Sequence, residues 1–183
     1  MKLKGIGIRG LAFRIGDYLR RCGVECVLSG GACVSIYTKN RYLSRDLDFV
    51  LLVSESKKAA SEALADLGFR REGRHFRHPD TPFLVEFLLP PVSIGTAHVK
   101  KPAELRSGKF ILRLLSPTDC VKDRLAAFYF WNDRQSLDQA LLVAMSRPVD
   151  FHDLQRWSEA EGMKDKFAVF RRMLDARRGA KSS

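Results

Sequence analysis

Asp46 and Asp48 stand two residues apart at the head of the apolar run DLDFVLLV. In an extended chain residues i and i+2 project to the same face, so the two carboxylates lie side by side. Like charges in contact repel unless a cation neutralises them, and hard oxygen donors suit Mg²⁺, with Mn²⁺ as the alternative. Upstream, Ser29-Gly30-Gly31 closes a short β-branched run, Val24 to Leu28. Glycine lets backbone approach phosphate oxygens with no side chain in the way, and amides at a helix start offer donors to an anion. A third acid, Glu86, sits between Val85 and Phe87 in an otherwise apolar run. If its strand lies beside that of Asp46, the three carboxylates can hold one or two metal ions. Such an arrangement clamps the attacking and leaving oxygens of phosphoryl or nucleotidyl transfer, with Glu86 placed to take the acceptor proton. The plainer alternatives are a Gly-Gly turn, a solvated Asp pair and an ordinary strand glutamate.

The elements that must position these residues follow from periodicity. Apolar side chains at Leu11, Ile15, Tyr18, Leu19 and Cys22 predict an amphipathic helix over 10–22, stopped by Gly23. Residues 24–28 read as a buried strand and 32–40 as a short helix, while 46–53 is the clearest strand. The segment from Ser54 to Phe69 reads as a helix ended by Gly68. Residues 69–77 and 83–89 flank His78-Pro79-Asp80-Thr81-Pro82, a hairpin signature with Glu86 in the returning strand. Residues 90–109, rich in Pro, Gly and basic side chains, read as a loop or irregular strand pair. After Ser116-Pro117 the chain is helical, with spans expected at 117–131, 135–146, 150–161 and 164–177. The closing RRGAKSS reads as a disordered tail.

The 183 residues carry 32 Lys+Arg against 21 Asp+Glu, a net charge of +11, and are 45% hydrophobic. That hydrophobic content suffices for a real core and argues against disorder. No apolar run is long enough to span a bilayer, and the apolar stretch near the N-terminus is too short for a convincing signal peptide. A cytoplasmic protein without a membrane partner is the expectation. Cys22, Cys26, Cys33 and Cys120 form no CxxC pair and read as reduced, mostly buried thiols; His75 and His78 alone make no zinc site. Residues 1–116 carry 20 basic and 11 acidic side chains, against 12 and 10 in residues 117–183. The positive potential therefore belongs to the first part, and nucleic acid or a nucleoside triphosphate is the partner it implies, solubility being the alternative. Lys100, Lys101, Arg106 and Lys109 read either as a nucleic-acid track or as a solvated loop. Phe128, Tyr129, Phe130 and Trp131 follow one another on a helix, so they point in different directions and read mostly as core.

The segment from Leu28 to Val50 resembles the signature of the DNA polymerase β-like nucleotidyltransferase superfamily, in which a hydrophobic-Gly-Gly/Ser element precedes an Asp-hydrophobic-Asp pair. Fourteen residues separate Gly31 from Asp46. That gap is slightly long for the pattern and hints at an extra helical turn or a longer loop. The stretch SPTDCVKDRLAAFYFWNDRQSLDQALLVA resembles the helical region of AbiEii-like toxin nucleotidyltransferases and their small relatives. The resemblance implies an α+β fold: a nucleotidyltransferase-like mixed sheet flanked by helices over 1–115, then a helical bundle over 116–183. It implies Asp46, Asp48 and Glu86 as catalytic metal ligands and Ser29, Gly30 and Gly31 as the nucleotide turn. Lys122 or Arg124 would contact phosphates, and Asp138 would orient that base. The implied reaction moves a nucleotidyl group from a nucleoside triphosphate to a hydroxyl of RNA, such as tRNA, or of a protein. A toxin–antitoxin or phage-defence setting, with a cognate antitoxin as partner, goes with it. The alternative is an inactive module of the same fold that binds nucleic acid or a partner protein.

Overall fold

The computed structural model describes residues 3–99 and 101–180. The chain opens with α1 (Ile8–Arg21), whose Leu11, Ile15 and Leu19 are buried, as the three-and-four spacing requires. Strand β1 (Cys26–Ser29) follows and runs straight into α2 (Gly30–Tyr37). Strand β2 (Asp46–Leu51) returns antiparallel to β1. The gap between the glycines and Asp46 is thus filled by the helix and a longer loop, in which Lys39 and Asn40 both take positive φ.

Helix α3 (Lys57–Asp66) leads to three strands, β3 (Arg70–Glu72), β4 (His75–His78) and β5 (Thr81–Leu88). The expected single strand over 69–77 is folded at Gly73, which takes a φ of 63°, into two antiparallel strands. Residues 90–109 hold a small hairpin, β6 (Ser93–Ile94) and β7 (Ala97–His98), and then β8 (Ala103–Ser107). β8 turns at Gly108 into β9 (Phe110–Leu114). Four helices complete the chain: α4 (Pro117–Trp131), α5 (Arg134–Ser146), α6 (Phe151–Ala160) and α7 (Lys164–Gly179). Ser116, Asp133 and Asp150 cap the first three by accepting first-turn amide hydrogens. Helix α7 absorbs Arg177, Arg178 and Gly179, which had read as tail; the last three residues of that reading lie outside the described residues.

Seven strands form one mixed sheet in the order β3-β4-β5-β2-β1-β9-β8. β2 pairs in parallel with β5 and β1 with β9, while the other neighbours are antiparallel. Leu47, Phe49 and Leu51 of β2 and Phe83, Val85 and Phe87 of β5 point to one buried face. Helix α1 lies on that face: a Cβ at its Gly16 would come within 2.7 Å of Leu112 and 3.7 Å of Phe49. The opposite face carries Asp46, Asp48 and Glu86. Cys26, Cys33 and Cys120 are buried and Cys22 is exposed, all free thiols. Phe128 and Tyr129 are core residues, whereas Phe130 and Trp131 are exposed. Among the described residues, no helix is long and apolar enough to cross a membrane.

Candidate active site

Four strands bring four polar side chains into one row. In the antiparallel pair β1–β2, Ser29 faces Asp48; in the parallel pair β2–β5, Asp48 faces Glu86; and in β4–β5, Glu86 faces His75. Residues aligned across neighbouring strands project to the same face, so Ser29, Asp48, Glu86 and His75 form a continuous polar line. Asp46 lies on the same face two residues before Asp48.

The glycine turn is fitted to this line. Gly30 takes a φ of 66°, and a Cβ there would meet Asp48 Oδ2 at 2.5 Å. At Gly31 a Cβ would meet Ser44 Oγ at 2.9 Å and the Tyr42 ring at 3.3 Å. Ser29 makes no side-chain cap on α2; its Oγ instead donates to the Asp48 carbonyl at 3.2 Å. The first-turn amides of α2 are therefore uncapped by a side chain and lie beside the carboxylates. Ser35 and Ser44 hold the connecting loop in place. Ser44 donates its amide to Ser35 Oγ at 2.9 Å, and its own Oγ donates to the Asp46 carbonyl at 3.1 Å.

Burial raises the Asp48 pKa to about 6, with the charges of Asp46 and Glu86 adding to the rise and Arg124 opposing it. Glu86 Oε2 lies 3.3 Å from the His75 Nε2 and 3.6 Å from the Arg74 Nε. Arg124 reaches the site from α4, with its guanidinium on Asp123 at 2.5 Å and on Gln139 at 3.4 Å. Burial disfavours its charge, but the adjoining Asp123 carboxylate outweighs this and raises its pKa overall.

Lys122 and Asp138 go elsewhere. Lys122 Nζ donates to Asp153 on α6 at 2.6 Å, and its side chain is 9% exposed. It is one of the few buried charged groups and joins two helices. Asp138 accepts from Arg177 on α7, so it does not orient a basic residue of α4. The two α4 cations thus part company, because residues two apart on a helix lie about 200° apart around its axis. Of the basic residues between 100 and 109, Lys100 lies outside the described residues. Arg106 pairs with Glu104, and Lys109 lies over the Phe110 ring, in a hairpin whose β8 forms the far sheet edge.

His75, Arg74 and Asp123 are neighbours of the carboxylates that the sequence reading had not assigned. The signal for His75 was its strand register opposite Glu86, which depends on where the β3–β4 turn falls. Beside the row lies a cleft of about 160 Å³, floored by Val50 and Leu88, walled by Pro91, Val92 and Ile94, and edged by Asp123.

Three neighbouring acids supply hard oxygen donors, which is the chemistry Mg²⁺ requires. Their mutual repulsion, registered in the raised pKa of Asp48, is what a cation would relieve. Among the described residues, no three His, Cys, Asp or Glu side chains already converge as a preformed cage.

An antigenic nucleotidyltransferase-like protein from Paracoccidioides brasiliensis superposes on this structure with a TM-score of 0.56. The match covers 77% of each chain at 15% sequence identity. This chain has a nucleotidyltransferase-like fold. The antibiotic-resistance factor ANT(2'')-Ia is matched at TM-scores of 0.49 in its solution structure and 0.48 in its complex with adenylyl-2''-tobramycin. Those matches cover 91% of this chain, at 11% and 12% identity, and 94% and 96% of the other chains. No protein-family model matches the chain, and no curated protein matches it in sequence. On the nucleotidyltransferase-like fold, the row from Ser29 to Glu86 and the glycine turn share one end of the central strands.

Proposed function

We propose that this protein is a metal-dependent nucleotidyltransferase that moves a nucleotidyl group from a nucleoside triphosphate to a hydroxyl of RNA or protein. The observation that carries the reading is the alignment of Asp48 with Glu86, with Gly30 packed on Asp48. The close approach at Gly30 and Gly31 leaves backbone amides, not side chains, to receive the triphosphate. Asp46, Asp48 and Glu86 would hold Mg²⁺, or Mn²⁺ in its place. A bound divalent ion supplies charge neutralisation at the triphosphate and polarises the acceptor oxygen. Glu86 accepts the proton of the acceptor hydroxyl as its oxygen bonds to the α-phosphorus. The bond from that phosphorus to the bridging oxygen breaks, and pyrophosphate leaves. Arg124 contributes fixed positive charge close to Asp48, balanced by Asp123. A toxin or phage-defence role, with a cognate antitoxin, rests on the likeness of the α4–α5 segment to AbiEii-like toxins.

Isothermal titration with each of the four nucleoside triphosphates, with and without Mg²⁺, tests the reading. Metal-dependent binding by the wild type and none by Asp46→Ala/Asp48→Ala supports it, as does transfer of label from the bound triphosphate to RNA or protein. Binding unaffected by the double substitution refutes it.

A second reading has one observation in its favour. Arg74 already sets a fixed positive charge 3.6 Å from Glu86, as a site without a metal would require. In that case the fold serves as a binding module, and nucleic-acid or partner binding persists unchanged in Asp46→Asn.

A further inference from the structure

On the face that carries the carboxylates, the sheet continues past β5 to β4 and β3. Leu84 of β5 is the aligned neighbour of Asp46, and its amide donates to the Arg45 carbonyl at 2.9 Å. Beyond Leu84 the same face presents Arg77 of β4 and, aligned with it, Arg70 of β3. Leu84, Arg77, Arg70 and Glu72 line one open groove of about 620 Å³, bounded by His78, Pro79 and Thr81. The groove therefore begins one strand away from the candidate catalytic acids and runs to the sheet edge.

Its lining sets Arg70 and Arg77 against Glu72, and Arg45 stands beside it, whereas Arg71 and Arg74 border a separate pocket with Phe76 and Phe87. Arg77 is partly engaged by Glu72 at 2.6 Å, whereas Arg70 and the nearby Arg45 are exposed and have no partner among the described residues. Three exposed arginines beside an open floor, two of them unneutralised, fit a polyanion and disfavour an apolar or basic partner. With neighbouring strands about 4.8 Å apart, Arg70 lies roughly 14 Å from the Asp46 strand.

We propose that this groove seats the phosphodiester backbone of a nucleic-acid strand and leads its terminal hydroxyl to Asp46, Asp48 and Glu86. This rests on the transferase reading for the fate of the hydroxyl, but the groove's affinity for the strand does not. It names the acceptor as nucleic acid in preference to protein.

The test uses the full chain and a fluorescently labelled single-stranded 12-mer, as RNA and as DNA, read by polarisation across a salt series. Arg70→Glu/Arg77→Glu is compared with Lys164→Glu/Arg172→Glu, an equal charge change on exposed residues of α7. The groove variant is expected to bind at least tenfold more weakly, with a shallower salt slope, while the α7 variant stays within about twofold of wild type. Thermal melting confirms that both variants are folded. The proposal is overturned if the two variants weaken binding equally, if the groove variant binds as wild type does, or if polyglutamate displaces the strand as well as unlabelled oligonucleotide does. Preference for RNA or for DNA identifies the strand, and either result supports the groove. Titration of the same variants with Mg²⁺ and nucleoside triphosphates separates the two readings. If strand binding depends on the groove while wild type binds no triphosphate, the groove stands and the transferase reading fails. If triphosphate binding is intact and the strand is ignored, the transferase reading stands and the groove fails.

Discussion

Gly30 and Asp48 approach so closely that a Cβ on Gly30 would lie 2.5 Å from Asp48 Oδ2. The carboxylate, not the backbone behind it, fills the space a side chain would need, since Asp48 Cβ would be at an ordinary 3.8 Å. Gly30→Ala therefore meets two costs, a positive φ of about 1–2 kcal/mol and an overlap of about 1–3 kcal/mol. In an Asp48→Ala background only the first remains. Urea denaturation of the four proteins is expected to show Gly30→Ala costing roughly 2–5 kcal/mol in wild type and about 1–2 kcal/mol with Asp48 removed. Equal costs in both backgrounds would mean that the two residues are not in contact.

Asp48 gives the metal-free protein a pH dependence of defined sign. Its native pKa, about 6, is above the ordinary carboxylate value, because burial and the charges of Asp46 and Glu86 disfavour ionisation. The folded state thus holds this proton more tightly than the unfolded state does. Asp48 therefore contributes a stability that falls as pH rises from about 4 to about 6 and then levels off. Asp48→Asn removes the ionisation and should be more stable than wild type at pH 7 by roughly 1–3 kcal/mol. That advantage should vanish near pH 4. Chemical denaturation in EDTA at pH 4, 5, 6 and 7 checks it; a difference that is constant with pH would assign the effect to packing.

Strand β2 and the helices α1, α3 and α4 to α7 were legible because each carries an unbroken apolar period between strong punctuators such as Gly23, Gly68 and Pro117. The neighbouring placement of Asp48 and Glu86 was conditional on strand order, which periodicity alone does not set. The β8–β9 hairpin was hidden because its outer strand alternates weakly at an exposed edge. The partners of Lys122 and Asp138 were beyond reach for a different reason. Asp153 and Arg177 lie 31 and 39 residues further on, on helices whose rotation about their axes is decided by packing. His75 lay in the same blind spot, since its place beside Glu86 depends on the chain reversing at Gly73.

If the three acids hold a divalent ion, the repulsion that weakens the metal-free fold becomes a source of ligand-dependent stability. Mg²⁺ at ten times its Kd should raise unfolding free energy at pH 7.5 by about 1.4 kcal/mol. Asp46→Asn/Asp48→Asn should start more stable and gain nothing from the ion. Melting temperatures with and without MgCl2, with matched ionic strength from KCl, check this. An equal response of both proteins would locate any ion effect away from these carboxylates.

Lys122 ties α4 to α6 through Asp153 at 2.6 Å, and its ammonium, 9% exposed, also has Asp119 at a longer 3.9 Å. Asp153 is 33% exposed and also pairs with Arg156 at 3.2 Å, so it retains some compensation when Lys122 is lost. Its pKa is nevertheless lowered: burial opposes ionisation, but Lys122 and Arg156 outweigh it. Lys122→Ala is expected to cost roughly 1–3 kcal/mol, and Asp153→Ala to cost at least as much, because it leaves a buried ammonium with only the more distant Asp119. The double substitution should cost less than the sum. Arg124→Ala, by contrast, removes positive charge close to Asp48 and should weaken triphosphate binding, with the fold less affected than in Lys122→Ala. Parallel denaturation and nucleotide titration of the α4 variants tests that division. Loss of triphosphate binding in folded Lys122→Ala would return Lys122 to the site.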